Sequence, residues 1–201
     1  MMNMTRRASR PRITSLRLVA ATAILMSCAS LALAQQQSPP GAADAAASAD
    51  EAHRKGQEAY EKQDYAEAMR WHRIAADQGD AASQVAVGDM YGQGQGVSQD
   101  YAEALCWYRK AAEQGNDEAQ DNVGFFYLSG WGVPQDYGEA MRWLRKAADQ
   151  GNEVAQRNIG MVYLQGLGVR KDRHEAIRWF RKAAEKGDDE AIKALHYLGA
   201  K

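Results

Sequence analysis

The sequence predicts an all-α protein whose short helices stack into an α-solenoid, or α/α superhelix. The main observation is a repeat: nearly the same 17 residues return four times, 36 residues apart, as DYAEAMRWHRIAADQGD, DYAEALCWYRKAAEQGN, DYGEAMRWLRKAADQGN and DRHEAIRWFRKAAEKGD. The segments between the copies have a second helical pattern and a glycine-rich loop, and no alternating β-branched run follows residue 47. A fixed period of this size is typical of proteins whose units pack only on their neighbours and together expose one long surface.

Residues 1–34 have the composition of a secretory signal peptide. Five arginines without any acid precede an apolar run over residues 18–33, and an A-x-A cleavage site ends at Ala34. The run is shorter than the roughly 20 residues of a spanning helix, so we expect no stable membrane span after cleavage. The sequence thus predicts a periplasmic or secreted protein that begins at Gln35. The alternative is a lipoprotein anchored at Cys28, within a lipobox-like Leu-Met-Ser-Cys.

The charge of the expected mature chain argues against nucleic acid as a partner. The whole chain has 25 basic and 26 acidic residues, and removal of the five arginines leaves 20 basic against 26 acidic, a net charge of −6. Nonspecific nucleic-acid binding depends on neutralising phosphates with basic side chains. We therefore expect a protein or peptide partner and no nucleic acid, and we expect the chain to be a monomer.

The chain divides into a signal peptide (1–34), a linker (35–47) and a repeat domain (48–201). The linker QQQSPPGAADAAA lacks large apolar residues, so burial cannot offset its ordering entropy and we expect it to be flexible. Helical patterning begins near Ser48. The predicted units of the repeat domain are 48–79, 80–115, 116–151 and 152–187, followed by a capping helix over 188–198.

Each unit is predicted to contain two helices. In one copy, Asp100 supplies the N-cap, apolar residues keep helical spacing from Tyr101 to Gln114, and Gly115 ends the helix because glycine enters the left-handed cap conformation at little cost. The next helix is predicted over 117–128. The loop Ser-Gly-Trp-Gly-Val-Pro over 129–134 then prevents its continuation.

The recurring pattern A-x-x-x-[VI]-G-x-x-Y-x-x-G-x-G-V-x-x-D-Y-x-E-A-x-x-W-x-R-K-A-A-x-x-G resembles the Sel-one-like repeat (SLR), a relative of the tetratricopeptide repeat (TPR). The resemblance covers about residues 52–201. The positions that carry it in one unit are Ala119, Val123, Gly124, Tyr127, Gly130, Gly132, Val133, Asp136, Tyr137, Glu139, Ala140, Trp143, Arg145, Lys146, Ala147, Ala148 and Gly151. The resemblance implies a TPR-like solenoid that binds a partner in a concave groove.

Both ends of the repeat domain depart from this pattern. In the first unit, Gly56 precedes Ala68 by 12 residues instead of 16, so its loop is shortened. In the last helix, His196 replaces the recurrent glycine. We expect this helix to cap the stack with a polar outer face.

Residues that return unchanged in each unit are predicted to build the scaffold. Large rings at one inward position indicate packing between helices, and mid-helix glycines indicate close approach of a neighbouring helix. An arginine at a third position precedes an acid by four residues, which predicts local ion pairs. The sets are Trp71, Trp107, Trp143 and Trp179; Gly88, Gly124 and Gly160; and Arg73, Arg109, Arg145 and Arg181.

Positions that change chemistry from unit to unit are the candidate site. By resemblance to TPR proteins, the first helix of each unit lines the concave groove. The variable positions there are Val85, Asp121 and Arg157; Ala86, Asn122 and Asn158; and Asp89, Phe125 and Met161. The asparagines could hydrogen-bond a peptide backbone, and Phe125 and Met161 could hold an apolar side chain. The open alternative is that Phe125 and Met161 pack on the adjacent unit and Asp121 pairs with Arg157.

Trp131 also belongs to the candidate partner-binding residues. It lies at the tip of a Gly-Trp-Gly loop, so it is either an exposed contact or folded back on the stack.

The residues give no catalytic, cofactor or metal pattern. The four histidines are far apart and have no cysteine partner at zinc spacing. The serines at positions 83, 98 and 129 have no histidine near them in sequence. The sequence therefore predicts an exported scaffold or adaptor without a cofactor. The alternatives are an envelope hydrolase acting on cell-wall or β-lactam substrates, and an accessory factor of a secretion or polysaccharide-export system.

Overall fold

The computed structural model describes residues 47–200, which belong to one compact unit. The expected signal peptide and all of the expected linker except Ala47 lie outside the described residues. Residues 47–200 form nine α-helices and no strand, which confirms the all-α prediction. The helices are α1 (Ala49–Glu61), α2 (Tyr65–Asp77), α3 (Ala81–Gln93), α4 (Tyr101–Glu113), α5 (Asp117–Ser129), α6 (Tyr137–Gln150), α7 (Glu153–Gln165), α8 (Arg173–Glu185) and α9 (Asp189–Tyr197).

The helices pack in chain order. Within a unit, α1 packs on α2, α3 on α4, α5 on α6 and α7 on α8. Each second helix then packs on the first helix of the next unit, and α9 packs on α8. This succession of nearest-neighbour contacts is the predicted α-solenoid.

The predicted caps set the helix boundaries. Asp100, Asp136 and Asp172 each accept hydrogen bonds from two backbone amides of the second helix that follows, at 2.9–3.1 Å. These bonds satisfy amides that have no partner within the helix. At the other end of a first helix, Gly130 stops α5 with a φ of 72°, a conformation that side chains with a Cβ rarely adopt.

Close approach within each unit explains the recurrent mid-helix glycines. A Cβ atom on Gly88, Gly124 or Gly160 would lie 2.7 Å from a side chain of the paired second helix. The facing residues are Tyr108, Leu144 and Phe180, respectively. A methyl group at any of these positions would push the two helices of the unit apart, so the prediction from sequence is confirmed.

The recurrent tryptophans lie in the core of the stack, as predicted. Trp71, Trp107 and Trp143 are buried, and Trp179 is partly buried against the cluster around Leu144. A lysine of the same helix covers the outer side of the later rings. For example, Nζ of a lysine lies 4.1 Å from the centroid of Trp143 and of Trp179. These cation–π contacts place the ammonium group over the face of the ring, and the lysine stem covers part of it.

A ladder of glutamine side chains, which was not predicted from the sequence, joins the two helices of a unit to each other and to the preceding unit. Gln120 donates to the backbone oxygen of Ala112 and accepts a 2.8 Å hydrogen bond from Gln150 of the next helix. One unit earlier, Gln84 accepts an equivalent 2.8 Å bond from Gln114. In the last unit, Oε1 of Gln156 is buried without a hydrogen-bond partner, because the position equivalent to Gln150 is Lys186.

The first unit has the shortened connection that its spacing predicts. Only residues 62–64 separate α1 from α2, compared with residues 94–100 between α3 and α4. The short turn requires a left-handed residue, and Gln63 adopts it with a φ of 62°. The predicted start is also observed, since Ser48 is the N-cap of α1 and accepts from the amide of Glu51.

The last helix, α9, ends the stack with an outer face that is not uniformly polar. Ile192 is 47 % exposed, and it lines a shallow cavity of about 380 Å³ together with Leu195, His196, Gly199 and Ala200. The expectation of a polar outer face is therefore wrong at Ile192. His196 itself occupies the position where earlier first helices have the glycine that admits a second helix.

Candidate functional site

The open surface of the first helices is formed by three equivalent positions of each unit, which we call the inner face. Helices α5 and α7 contact each other directly across the unit boundary, as expected for the concave side of a solenoid. These positions are half-buried or exposed. They are Ala82, Ala86 and Asp89 of α3; Glu118, Asn122 and Phe125 of α5; and Val154, Asn158 and Met161 of α7.

The inner face includes two of the three sets of positions singled out from sequence. The third set is placed differently: Val85 and Asp121 are 5 % and 7 % exposed. The open positions lie three residues earlier on each helix, at Ala82, Glu118 and Val154. Since one helical turn is 3.6 residues, a small rotation of the assumed groove face accounts for the difference.

An apolar row crosses the inner face. Phe125 and Met161 are 38 % and 37 % exposed, although both are large apolar side chains. Tyr197 of α9 occupies the next equivalent position and is 89 % exposed. Tyr197 was not among the residues predicted from the sequence, because α9 was expected to act only as a cap. The 36-residue period would have identified it, since 161 and 197 differ by one repeat.

Trp131 extends the apolar row at its α5 end. Its ring stacks on Tyr101 with a centroid distance of 4.8 Å and an interplanar angle of 21°. The same ring meets Phe125 edge to face at 5.3 Å, yet Trp131 stays 40 % exposed. The sequence left open whether Trp131 is an exposed contact or folds back on the stack. Its side chain does fold back on the stack, and part of the ring stays exposed.

Three of the candidate polar residues form bonds between units. Asn158 of α7 donates a 2.9 Å hydrogen bond to the buried carboxylate of Asp121 on α5. Arg157 forms an ion pair with Asp188 at the start of α9. The suggested pair of Asp121 with Arg157 is therefore not formed, and each residue bonds a different partner. Burial raises the pKa of Asp121 to about 6, while the bond from Asn158 acts in the opposite direction.

The remaining polar groups give the inner face an acidic character near α3 and α5. The hydroxyl of Tyr108 donates a 2.7 Å hydrogen bond to Asp89. Burial raises the pKa of Asp89 despite this bond. The pKa of Glu118 is also raised, first by partial burial and then by the negative charges of Asp89 and Asp117.

The arginines of the second helices do not form the uniform set of local pairs that the sequence predicts. Arg73 does pair with Asp77 four residues later, at 3.2 Å. Arg145 instead donates a 3.3 Å hydrogen bond to the hydroxyl of Tyr163 on the next first helix. The outer surface is therefore held by a mixture of contacts within and between units.

One serine lies beside a histidine that is 30 residues away in sequence. Oγ of Ser83 is 2.8 Å from Nδ1 of His53, and Oδ1 of Asp80 is 3.2 Å from the same nitrogen. A catalytic relay uses the two ring nitrogens separately, one for the serine and one for the acid. Ser83 is also completely buried. This cluster therefore ties α1 to the start of α3 and does not present a nucleophile to a substrate.

Residues 47–200 contain no group of three or more His, Cys, Asp or Glu side chains placed to hold a metal ion. None of the helices in this range has both the length and the apolar character needed to cross a bilayer.

The repeat, the caps and the close helix pairs of this structure match one known family. The Sel1 repeat pattern matches residues 42–80, 81–116, 117–152 and 154–188, which together are most of the chain. The chain belongs to the Sel1 repeat family. This family is the one named above as Sel-one-like, so the resemblance found in the sequence is confirmed.

Two solved Sel1 repeat structures are similar to this chain. One is c5321, a protective antigen of uropathogenic Escherichia coli with an SLR fold. Its sequence is 38 % identical, the TM-score is 0.70, and the match covers 75 % of this chain and 33 % of c5321. The other is a Sel1 repeat protein from Oxalobacter formigenes. Its sequence is also 38 % identical, the TM-score is 0.67, and the match covers 74 % of this chain and 62 % of that protein. This chain thus spans less than two thirds of either relative. Among curated protein sequences, none matches.

Proposed function

We propose that this Sel1 repeat protein is an exported scaffold that binds a protein or peptide partner on its inner face. Sel1 repeat proteins are in general scaffolds for protein interaction. The observation that carries the proposal is the exposure of Phe125 and Met161 at equivalent positions of successive units. The exposed ring of Trp131 contacts Phe125 and enlarges this apolar surface, and large exposed apolar surfaces mark sites of protein interaction.

The polar residues beside the apolar row support a peptide-like partner. Asn122 and Asn158 lie one helical turn before Phe125 and Met161 on the same surface. A side-chain amide can donate to and accept from a peptide backbone at once. An apolar centre flanked by such groups is the usual composition of a protein interface.

A photo-crosslinking experiment tests the proposed surface. The crosslinking amino acid benzoylphenylalanine replaces Asn122 in one variant, and Arg145 on the outer surface in a matched control. In envelope extract, we expect a discrete crosslinked product from position 122 and none from position 145. Asn122→Ala combined with Asn158→Ala should weaken partner capture by more than about 1 kcal/mol while changing the thermal midpoint little. Capture through position 145 alone would place the functional surface on the second helices and refute the proposal.

Export is part of the proposal and rests on residues 1–34. Their basic start, apolar centre and A-x-A end support cleavage after Ala34. N-terminal sequencing of the envelope form should give Gln35 as the first residue. A lipidated start at Cys28 would instead make the protein a membrane-anchored scaffold.

The alternatives from sequence lead to different experiments. A hydrolase would need an accessible nucleophile next to a base, and the serine that has a histidine neighbour, Ser83, is buried. A role as an accessory to secretion or polysaccharide export would use the same scaffold surface. The identity of the protein crosslinked at position 122 distinguishes that role from a general adaptor.

A further inference from the structure

The members of the apolar row have a fixed spacing, and this spacing restricts which partner segments can contact all of them. Phe125, Met161 and Tyr197 occupy the same position on α5, α7 and α9, one repeat apart. These three make up the exposed large apolar side chains of the first helices from α3 onward, apart from Ile192 on the outer side of α9. A bound segment that uses the whole row must therefore present apolar groups at the spacing of the first helices.

This spacing suits a polyproline II segment. Helices in contact lie about 8–10 Å apart, and α5 contacts α7 directly. A polyproline II chain has three residues per turn and rises about 3.1 Å per residue, so every third side chain returns to one face after about 9 Å. In a β-strand, by contrast, the side chains of residues i and i+3 point to opposite faces. Successive units would thus each receive one apolar side chain of the sequence pattern apolar-x-x-apolar.

The neighbouring amides supply what such a segment needs. Polyproline II has no internal hydrogen bonds, so its backbone groups require partners when they leave water. Asn122 and Asn158 lie beside the row, and Asn158 uses one amide hydrogen on Asp121. Since a side-chain amide has two donor hydrogens and an acceptor oxygen, Asn158 keeps a donor and its oxygen. A helical partner would already have satisfied its own backbone and would gain less from these amides.

The charge of the first helices determines the sign of the flanking residues. On α3, α5 and α7 the acidic side chains that are half-buried or exposed are Asp89, Asp117, Glu118 and Glu153, whereas Asp121 is buried. The basic side chain on these three helices is Arg157, and it pairs with Asp188. Complementary charge increases the rate and specificity of association. The surface beside the apolar row therefore favours a cationic segment.

We propose that the partner of the inner face is a basic polyproline II segment with an apolar side chain at every third position. The apolar groups contact Phe125, Met161 and Tyr197 in turn, the amides of α5 and α7 bond the backbone between them, and Glu118 and Asp89 face the cations. The inference rests on the proposed function, because it specifies the chemistry of the partner for that surface.

A synthetic peptide tests the proposal directly. The probe is a fluorescein-labelled nonapeptide that repeats Lys-Leu-Pro three times, titrated with the purified repeat protein and followed by fluorescence anisotropy. We expect saturable binding that is at least about tenfold tighter than for the repeat of Glu-Leu-Pro, a difference of about 1.4 kcal/mol. A peptide of the first composition with its three leucines consecutive should also bind at least about tenfold more weakly.

Variants of the protein locate the binding on the row. Met161→Ser and Tyr197→Ser should each weaken binding of the Lys-Leu-Pro peptide at least about fivefold, as expected for interface residues that matter. Ile192→Ser is the matched control, because Ile192 is exposed on α9 but lies off the row. It should bind the peptide as the unchanged protein does. Circular dichroism melts verify that the three variants remain folded.

The outcomes separate this inference from the proposed function. Equal affinity for the basic, acidic and leucine-clustered peptides would overturn the inference, as would binding that is insensitive to Met161→Ser and Tyr197→Ser. If that result came with a partner crosslinked at position 122, the inner face would bind a partner of another chemistry. If the crosslink also failed, the proposed function itself would be refuted.

Discussion

Lys186→Gln should stabilise the protein by completing the glutamine ladder in the fourth unit. In the second and third units, Gln114 and Gln150 bond Gln84 and Gln120 at 2.8 Å. The equivalent residue in the fourth unit is Lys186, whose Nζ lies against Gly151. Position 186 precedes a left-handed glycine at the end of its helix, as positions 114 and 150 do, so we expect an amide there to reach the unpaired Oε1 of Gln156.

The expected change in the free energy of unfolding follows from the energy of one hydrogen bond. A neutral hydrogen bond contributes about 0.5–1.5 kcal/mol net to stability, and an unpaired buried polar atom costs about 1–3 kcal/mol. Because Gln156 keeps its bond to Ala148 in either case, the substitution gains one bond. We therefore expect the free energy of unfolding to rise by about 1 kcal/mol.

Urea denaturation at neutral pH measures this change, and two further variants control it. Lys186→Met removes the ammonium group without supplying an amide, so it should not reproduce the gain. Gln150→Lys places a lysine in the third unit at the position that Lys186 occupies in the fourth. It removes the hydrogen bonds that Gln150 donates to Gln120 and to the Gly115 oxygen. It should destabilise by about 1–3 kcal/mol. If Lys186→Gln gave no gain while Gln150→Lys gave no loss, the ladder would contribute nothing to stability.

Three other substitutions test the scaffold. Burial raises the pKa of Asp121 to about 6 from 3.8, so the folded state binds a proton more tightly than the unfolded state and this residue's penalty is relieved as pH falls from 6 towards 4. Asp121→Asn should thus be more stable than wild type at pH 7.5, and this advantage should shrink by about 1 kcal/mol at pH 5; an advantage that did not change with pH would contradict the raised pKa. The comparison with wild type is needed because the lowered pKa of His72, about 4 through burial, reduces stability over the same range. Gly124→Ala should destabilise by about 1–3 kcal/mol in urea melts despite the better helix propensity of alanine, because the new methyl would lie 2.7 Å from Leu144. Trp143→Ala should cost about 3–5 kcal/mol as a buried large-to-small change, and a loss under about 1 kcal/mol would mean that the ring contributes little packing.

The fold could be predicted from the sequence because the signals that specify it are local and are repeated in every unit. An N-cap such as Asp100 and a stop such as Gly130 act within a few residues, and the 36-residue period multiplies the evidence for each. The close contact at Gly124 could be predicted for the same reason. A glycine that returns at one position inside a helix needs a steric explanation.

The details of the site could not be predicted in the same way. The bonds of Asn158 to Asp121 and of Arg157 to Asp188 join residues 37 and 31 positions apart, so they depend on how successive units rotate. A rotation of about 60° around the helix axis, the angle between residues three apart, exchanges Asp121 for Glu118 at the open surface. Pairwise patterns within one helix contain no information on that rotation, and the pairing of Arg145 with Tyr163 was missed for this reason.

His196 has a consequence for how this solenoid can grow. A duplicated unit inserted before α9 would bring its own glycine and its own second helix, and the new pair would close in the same way as α7 and α8. A second helix added after α9 would meet the imidazole of His196 where Gly160 leaves room for Phe180 at 2.7 Å from a notional Cβ. Lengthening by internal duplication therefore needs no other change, whereas extension beyond α9 requires His196→Gly first. Engineered versions with more inner-face positions should accordingly be built by inserting copies of the third unit.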